Sequence, residues 1–307
     1  MIFEGSEKKV EIVVDGVNLR SLGDDFWAEV VKKANATVLS KVSNDFIDAY
    51  LLSESSLFVW KDRFTMITCG TTTLVRAIEF VTEKLSKESI KLVVFQRKNE
   101  HFSHLQNSTF YDDEARIKER IAGLSLRFGP KHEHHNFLFH SEQPFTPDPS
   151  DFTAELLMYD LQGEAKSFLI QENQKIEDIR KFFNLESLLE GFIIDDFSFD
   201  PYGYSMNAIF EDKFCTIHIT PQESSSYMSF ETNLEVNEKT QHIFLEILNK
   251  VRPRSFDAVT FNCEMQSFMP KVYNKKTVVK ERLNIGYDVT FCHYFLESDE
   301  VERASIL

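Results

Sequence analysis

One rhythm of short β-rich runs and amphipathic helices recurs in both halves of this chain, and it constrains the fold more than any other feature. In the first half VEIVVD (10–15) reads as a strand and DDFWAEVVKKA (24–34) as a helix behind a capping aspartate. ATVLSKVS, DAYLLS, SLFVW and FTMITC, between 36 and 69, are rich in β-branched and aromatic residues with polar breaks, as in an antiparallel meander. TTTLVRAIEFVTEKLSK (71–87) sets Leu74, Ala77, Ile78, Val81 and Leu85 on one helical face. IKLVVFQRK (90–98) is a strand, DDEARIKERIAGL (112–124) a third helix and FLFHS (137–141) a closing strand.

The turn-rich SEQPFTPDPSD (141–151) holds three of the eight prolines and marks a joint. After it come a strand (153–161), a helix (176–191), strands at AIFED, FCTIHIT and SYMSFET, a helix (240–251) and strands at DAVTFNCEM and DVTFCHYFLE. Element order, not residue identity, suggests duplication. Antiparallel sheets covered on one face by helices leave their other faces to pack together, so a layered α+β sandwich is expected. The joint is too short for a long linker, which favours a single domain, 1–307, with pseudo-repeats of about 1–145 and 146–307.

Composition narrows the function. The 29 phenylalanines among 307 residues exclude disorder, and a formal charge of −15 opposes nucleic acid or anionic membrane as a general partner. The four cysteines, Cys69, Cys215, Cys263 and Cys292, have neither CxxC spacing nor a dense framework, as in a reduced compartment. The N-terminal MIFEGSEKKVEIVV has no secretory pattern, and no run approaches a membrane span, so a soluble cytosolic (cytoplasmic) protein is expected.

Four segments carry candidate chemistry. LLSESSLFV (51–59) sets serines between apolar strand-like runs. A hydroxyl there can attack its own preceding carbonyl if the backbone is strained and a base is near, although Ser-rich turns are common. TCGTTT (68–73) places Cys69 before a helix, whose N-terminus should lower the thiol pKa and make it an acid or base; a small buried cysteine is the bland alternative. FDPYGYSMN (199–207) is a turn-forming loop, and in FCTIHITP (214–221) alternation puts Thr216, His218 and Thr220 opposite Cys215, Ile217 and Ile219. KHEHHNFLFH (131–140) lacks metal-site spacing and reads as a solvated turn, so no metal centre is expected. Glu4, Glu7 and Glu11, with Asp151 and Glu155, supply carboxylates on shared faces.

Taken together, FEGSEK (3–8), YLLSESSLFV (50–59), TCGTT (68–72), RKN (97–99), GYSMN (203–207) and TIHITP followed by YMSFETN (216–233) resemble the eukaryotic S-adenosylmethionine decarboxylases over essentially the whole chain. The resemblance implies an α/β/β/α four-layer sandwich, a homodimer of αβ units, and a zymogen that cleaves itself between Glu54 and Ser55 into a β chain (1–54) and an α chain (55–307). Ser55 then becomes a pyruvoyl group that forms a Schiff base with S-adenosylmethionine and acts as electron sink for its decarboxylation. The product donates aminopropyl groups for spermidine and spermine biosynthesis. His218 and Ser205 match the processing residues, Cys69 the proton donor, and Glu4 and Glu7 the active-site carboxylates. Phe3 and Phe199 match the rings around adenine, Glu54 lies at the cleavage point, and Gln222 replaces the usual ribose-binding glutamate.

Glu11, Asp151, Thr153, Glu155, Glu231 and Phe261 match the lining of a second, putrescine-binding site. Ile67 stands there in place of a lysine and Val94 in place of an aromatic. With that lysine lost, either a diamine fills the site or some carboxylates are protonated. Two rivals remain: a catalytically weak paralogue acting as regulatory dimer partner, supported by Gln222 and Ile67, and a metal-binding protein built on 131–140.

Overall fold

The computed structural model describes residues 7–100, 103–222 and 226–297. The first sheet contains β1 (Lys8–Val14), β2 (Val38–Ser43), β3 (Asp48–Leu52), β4 (Ser55–Val59), β5 (Arg63–Thr68), β6 (Ile90–Lys98), β7 (Gly123–Phe128) and β8 (Asn136–Ser141). The second contains β9 (Thr153–Tyr159), β10 (Ile193–Ser198), β11 (Tyr204–Phe210), β12 (Lys213–Thr220), β13 (Tyr227–Thr232), β14 (Ser255–Phe261), β15 (Tyr273–Arg282) and β16 (Asp288–Leu296). Their strand orders are β2-β3-β4-β5-β1-β6-β8-β7 and β10-β11-β12-β13-β9-β14-β16-β15. The second is the first with every number advanced by eight, and every pairing is antiparallel.

Helices α1 (Asp24–Lys33), α2 (Leu74–Lys84) and α3 (Phe110–Lys118) cover the first sheet. Helices α4 (Gly163–Leu169), α5 (Ile176–Phe183), α6 (Leu185–Leu188) and α7 (Gln241–Val251) cover the second. Alternation along each strand sends one set of side chains to a helix and the next between the sheets. Val10, Ile12, Phe64 and Met66 pack with Trp27, Val30, Ile78 and Val81, while Cys215, Ile217 and Ile219 pack with Phe244, Ile247 and Leu248. The expected α/β/β/α four-layer sandwich is therefore present.

Between the sheets lie two apolar patches. One joins Val13, Leu92, Val94 and Leu138 to Val259, Phe261, Val289 and Phe291, and the other joins Ile47, Ala49, Phe58 and Trp60 to Ile209 and Phe214. Other inter-sheet positions carry buried polar and charged groups, among them Lys9, Gln96, Glu155 and Glu231.

Some elements depart from the sequence pattern. Strands β7, β10 and β15 and helix α4 lie outside the strands and helices that the pattern predicts. The helix expected over 176–191 is two helices, broken where Asn184 adopts left-handed backbone with φ +53°. The helix expected to reach 124 ends at Lys118, because the chain turns into β7.

Candidate active site

Strands β3 and β4 form a tight hairpin in which Leu52 pairs with Ser55, leaving Ser53 and Glu54 as its turn. Every residue of both strands is buried, so their register cannot slip without exposing core. Held this way, Ser55 has φ +136°, a conformation that favours glycine and stores strain in any other residue. Its Oγ is buried without a hydrogen-bond partner. The carbonyl of Glu54, the residue just before it, accepts the backbone N–H of Cys69 at 3.1 Å and faces the Cys69 Sγ at 3.4 Å. A strained serine thus follows a carbonyl whose oxygen already has a backbone donor.

The second sheet brings histidine to the neighbouring residue. Ser205 on β11, His218 on β12 and Ser229 on β13 are consecutive cross-strand partners. His218 Nδ1 lies 2.9 Å from Ser205 Oγ, and Nε2 lies 2.8 Å from Thr216 Oγ1 and 3.1 Å from Ser56 Oγ. Ser56 gives its single proton to Asn207 Oδ1, and the Met206 carbonyl takes that of Thr216 at 2.9 Å. In the arrangement that satisfies these groups, Nε2 carries the imidazole proton and Nδ1 accepts from Ser205. Burial pushes His218 down to about 3, so the ring is neutral at physiological pH. The alternation read from FCTIHITP therefore puts Thr216 and His218 between the sheets. Ser56, Thr216 and Asn207 were not singled out as site residues, although the LSESS and GYSMN motifs contain two of them.

Glu7 enters from the residue preceding β1. Burial pushes its carboxyl up to about 7, with the like charge of Glu155 adding to the effect and a hydrogen bond from Ser229 opposing it. Burial also raises Glu54. The Cys69 thiol is the clearest correction. A lowered pKa was expected from a helix N-terminus, yet α2 begins five residues later at Leu74, and burial with the carboxylates of Glu54 and Glu7 holds the thiol far above its ordinary range. Cys69 is a retained proton, not a thiolate.

Phe199 sits half-buried in the β10–β11 loop, its ring 4.9 Å from that of Phe197 and its N–H bonded to the Gly203 carbonyl. Gln222 follows β12, its N–H on the Thr220 carbonyl. Phe3 and Glu4 lie outside the described residues.

The remaining acidic candidates converge around two cations that sequence reading passed over. Lys9 Nζ donates to Glu155 Oε1 at 2.9 Å and to Glu231 Oε1, and Gln96 Nε2 reaches the same Glu155 oxygen at 3.1 Å. Arg63 donates to Asp151 at 2.7 Å and lies 3.5 Å from Glu11, while Tyr287 donates its hydroxyl to Asp151 at 2.5 Å. Burial opposes the Lys9 charge, but its two carboxylates outweigh this and hold it above its usual value. Burial raises Glu231 and Glu11 despite these cations. A cavity of about 20 Å³ lies among Glu11, Val94, Asp151, Thr153, Phe261 and Tyr287, and Lys9, Glu11, Arg63, Asp151, Thr153 and Glu231 help line an open cleft of about 310 Å³. The signal for Lys9 was present in the sequence: Glu7, Lys9 and Glu11 share one strand face.

The segment 131–140 is not a solvated turn throughout. His135 and His140 are buried, and His134 is drawn in from the β7–β8 loop to stack on His293, with ring centroids 4.6 Å apart and planes 12° apart. His293 Nδ1 lies 2.7 Å and Tyr159 Oη 2.9 Å from Asp257, and Lys98 Nζ lies 4.0 Å from the same carboxylate. His134, Asp257 and His293 are the one potential metal-ligand cluster among the described residues. Their ligand atoms all lie within 4.8 Å of one another, and the Lys98 ammonium stands 3.3 Å from His134 Nδ1, adding a positive charge at the same place.

Comparison with known proteins places this geometry in a family. No helix among the described residues is long and apolar enough to cross a membrane. The family model described as adenosylmethionine decarboxylase matches residues 1–296. The S-adenosylmethionine decarboxylase proenzyme of Leishmania donovani is 34% identical over 295 residues, covering 89% of this chain and 76% of that protein. Its Dictyostelium discoideum counterpart is 34% identical over 271 residues (85% and 70%), and that of Drosophila melanogaster 32% over 296 (84% and 82%). The crystal structure of the Trypanosoma brucei AdoMetDC-delta26 monomer superimposes with a TM-score of 0.62 at 24% identity, covering 79% of this chain and 99% of that one, and shares the fold. A matching model over nearly the whole length, together with relatives of this identity and coverage, means that the chain belongs to the adenosylmethionine decarboxylase family.

Proposed function

We propose that this protein is a self-cleaving, pyruvoyl-dependent S-adenosylmethionine decarboxylase supplying aminopropyl groups for spermidine and spermine synthesis. The observation that carries the reading is Ser55: a buried, unpartnered hydroxyl on strained backbone, next to a carbonyl held by the Cys69 N–H. Ser55 Oγ attacks the Glu54 carbonyl carbon, the Cys69 N–H stabilises the oxyanion, and the C–N bond breaks as the amide nitrogen takes up the proton. Relief of the strained φ favours the resulting ester. His218, neutral and held by Ser205, is assigned the proton on Cα of residue 55. It takes that proton at Nε2, the nitrogen facing the hairpin, in the tautomer whose ring proton sits on Nδ1 and is donated to Ser205 Oγ. Removal of the Cα proton expels Glu54 as a carboxylate, and water then replaces the nitrogen, which leaves as ammonia.

A pyruvoyl group fits position 55, where the orphaned Oγ and positive φ mark the serine to be converted, and it supplies an electrophilic carbonyl for the substrate amine and a sink for the electrons freed with carbon dioxide. Cys69 holds the proton to be delivered. Glu7 and Glu4 are the carboxylates assigned to the substrate, Phe199 and Phe3 the adenine-binding rings, and Gln222 the ribose contact. An amide at 222 accepts a neutral rather than charge-assisted hydrogen bond, so weaker substrate affinity is expected than with glutamate.

Lys9 and Arg63 are proposed to replace the activating diamine. Glu11, Asp151, Glu155 and Glu231 already face two internal cations, which supply the positive charge a diamine would bring. The Lys9 bonds also support treating 1–307 as one domain, since a first-half side chain neutralises second-half carboxylates.

The test is a denaturing gel and mass analysis of purified protein. Two fragments are expected, the larger beginning at residue 55 with a blocked N-terminus, and Ser55→Ala should stay whole. Soluble wild-type protein that remains uncleaved overturns the proposal and favours a regulatory paralogue.

A further inference from the structure

Lys8 is the charged residue of the FEGSEK segment that the proposed chemistry leaves without a role. It opens β1 opposite Thr68 on β5 and Arg97 on β6. Alternation sends Glu7, Lys9 and Glu11 between the sheets and sends Lys8 to the helix side, with Val10 and Ile12. A lysine only 1% exposed on an apolar face is costly unless its charge serves something.

Its two hydrogen bonds go to neutral acceptors: Gly70 O at 2.7 Å and Gln106 Oε1 at 3.0 Å. Gly70 has φ +61°, so the turn that aims its carbonyl at Lys8 needs glycine there. Asn107 closes the same region by donating to the Thr71 carbonyl. Among the described residues the charged groups facing Lys8 are Arg97, Glu100, Asp113, Glu54 and Cys69, and Glu100 and Asp113 both bond Arg97 at 2.5 Å. Burial, with Arg97 acting in the same direction, pushes Lys8 down to about 8, so its ammonium form persists at neutral pH. Among the described residues the charges around Cys69 are Glu54, Glu7 and Lys8, and of these Lys8 favours a thiolate.

We infer that Lys8 is a positioning residue and counter-charge for Cys69: it anchors the Cys69–Gly70 turn through the Gly70 carbonyl and stabilises the sulfur anion left when the thiol gives up its proton. The inference rests on the proposed role of Cys69 as proton donor. When Cys69 donates, the S–H bond breaks, a C–H bond forms on the substrate and the electron pair stays on sulfur. That anion stands beside two carboxylates until solvent returns a proton, and a cation bonded to the same turn lowers the barrier to forming it.

The experiment uses the full-length protein with Lys8→Gln, which retains a donor but removes the charge, and Lys8→Arg, which restores it. Iodoacetamide labelling of Cys69, followed by peptide mass spectrometry across pH, reports the thiolate. Lys8→Gln is expected to move the labelling curve up by at least about one pH unit, roughly tenfold less label at fixed pH. It is also expected to lower kcat about tenfold with KM within about twofold. Lys8→Arg should recover most of both. Unchanged labelling and kcat in Lys8→Gln overturn the inference. If that variant does not fold, Gln106→Leu removes one of the two Lys8 bonds and should shift labelling in the same direction; an unchanged curve is again fatal. A wild type that cannot decarboxylate S-adenosylmethionine counts against the proposed activity, whereas an active wild type with an indifferent Lys8→Gln counts against Lys8 alone.

Discussion

The hydroxyl of Ser205 lies 2.9 Å from Nδ1 of His218 across the β11–β12 pair, and this bond aims a neutral imidazole at the hairpin that carries Ser55. Loss of the base should stop processing after the acyl shift. His218→Ala is expected to accumulate an ester at residue 55, detected as cleavage by hydroxylamine. Ser205→Ala should slow elimination by about 10²-fold. An intact, hydroxylamine-resistant chain in His218→Ala contradicts this order of steps.

Ser55→Gly and Ser55→Ala both lack the attacking oxygen and should remain whole, but they differ in stability. Glycine adopts φ +136° readily, whereas alanine keeps the strain. Urea denaturation should find the glycine variant more stable by about 1–2 kcal/mol. Equal stabilities mean that the hairpin does not store strain at residue 55.

Lys9→Met takes the cation from between Glu155 and Glu231 and leaves buried carboxylates facing each other. A loss of about 3–5 kcal/mol is expected on denaturation. Millimolar putrescine should recover part of it in the variant and change wild-type processing less than twofold. Strong acceleration of the wild type by putrescine shows that the internal cations do not suffice.

Glu7 has a folded-state pKa raised from 4.5 to about 7, so the folded protein holds a proton that the unfolded chain releases between those values. Its contribution is full below pH 4.5 and is lost as pH rises through 7, at a cost of about 3 kcal/mol. Glu7→Gln should therefore flatten the fall in stability over this window and be more stable than wild type above pH 7. Parallel stability–pH curves exclude the carboxyl as the source.

The strands that were easy to read are interior ones, such as β1, β6, β9, β12 and β16, whose buried positions leave long apolar or alternating runs. The missed strands, β7, β10 and β15, are three of the four sheet edges. YNKKTVVKER and IIDDFS carry charge where a strand has one neighbour, which blocks edge-to-edge pairing and also erases the apolar pattern. Asn184 ended a helix through left-handed backbone, a stop that helical periodicity over 176–191 does not reveal.

The sequence by itself determined the motifs and their order, hence the family resemblance, the layered sandwich and the candidate residues from Ser55 to His218. Only the tertiary structure decided what each group experiences. It showed that Cys69 keeps its proton, that Lys9 and Arg63 face the acidic layer, that His134 is brought against His293 and Asp257, and that Ser55 is strained. Charge state and strain depend on burial and on partners up to 222 residues away, as for Lys9 and Glu231, and these are set when two sheets close on each other.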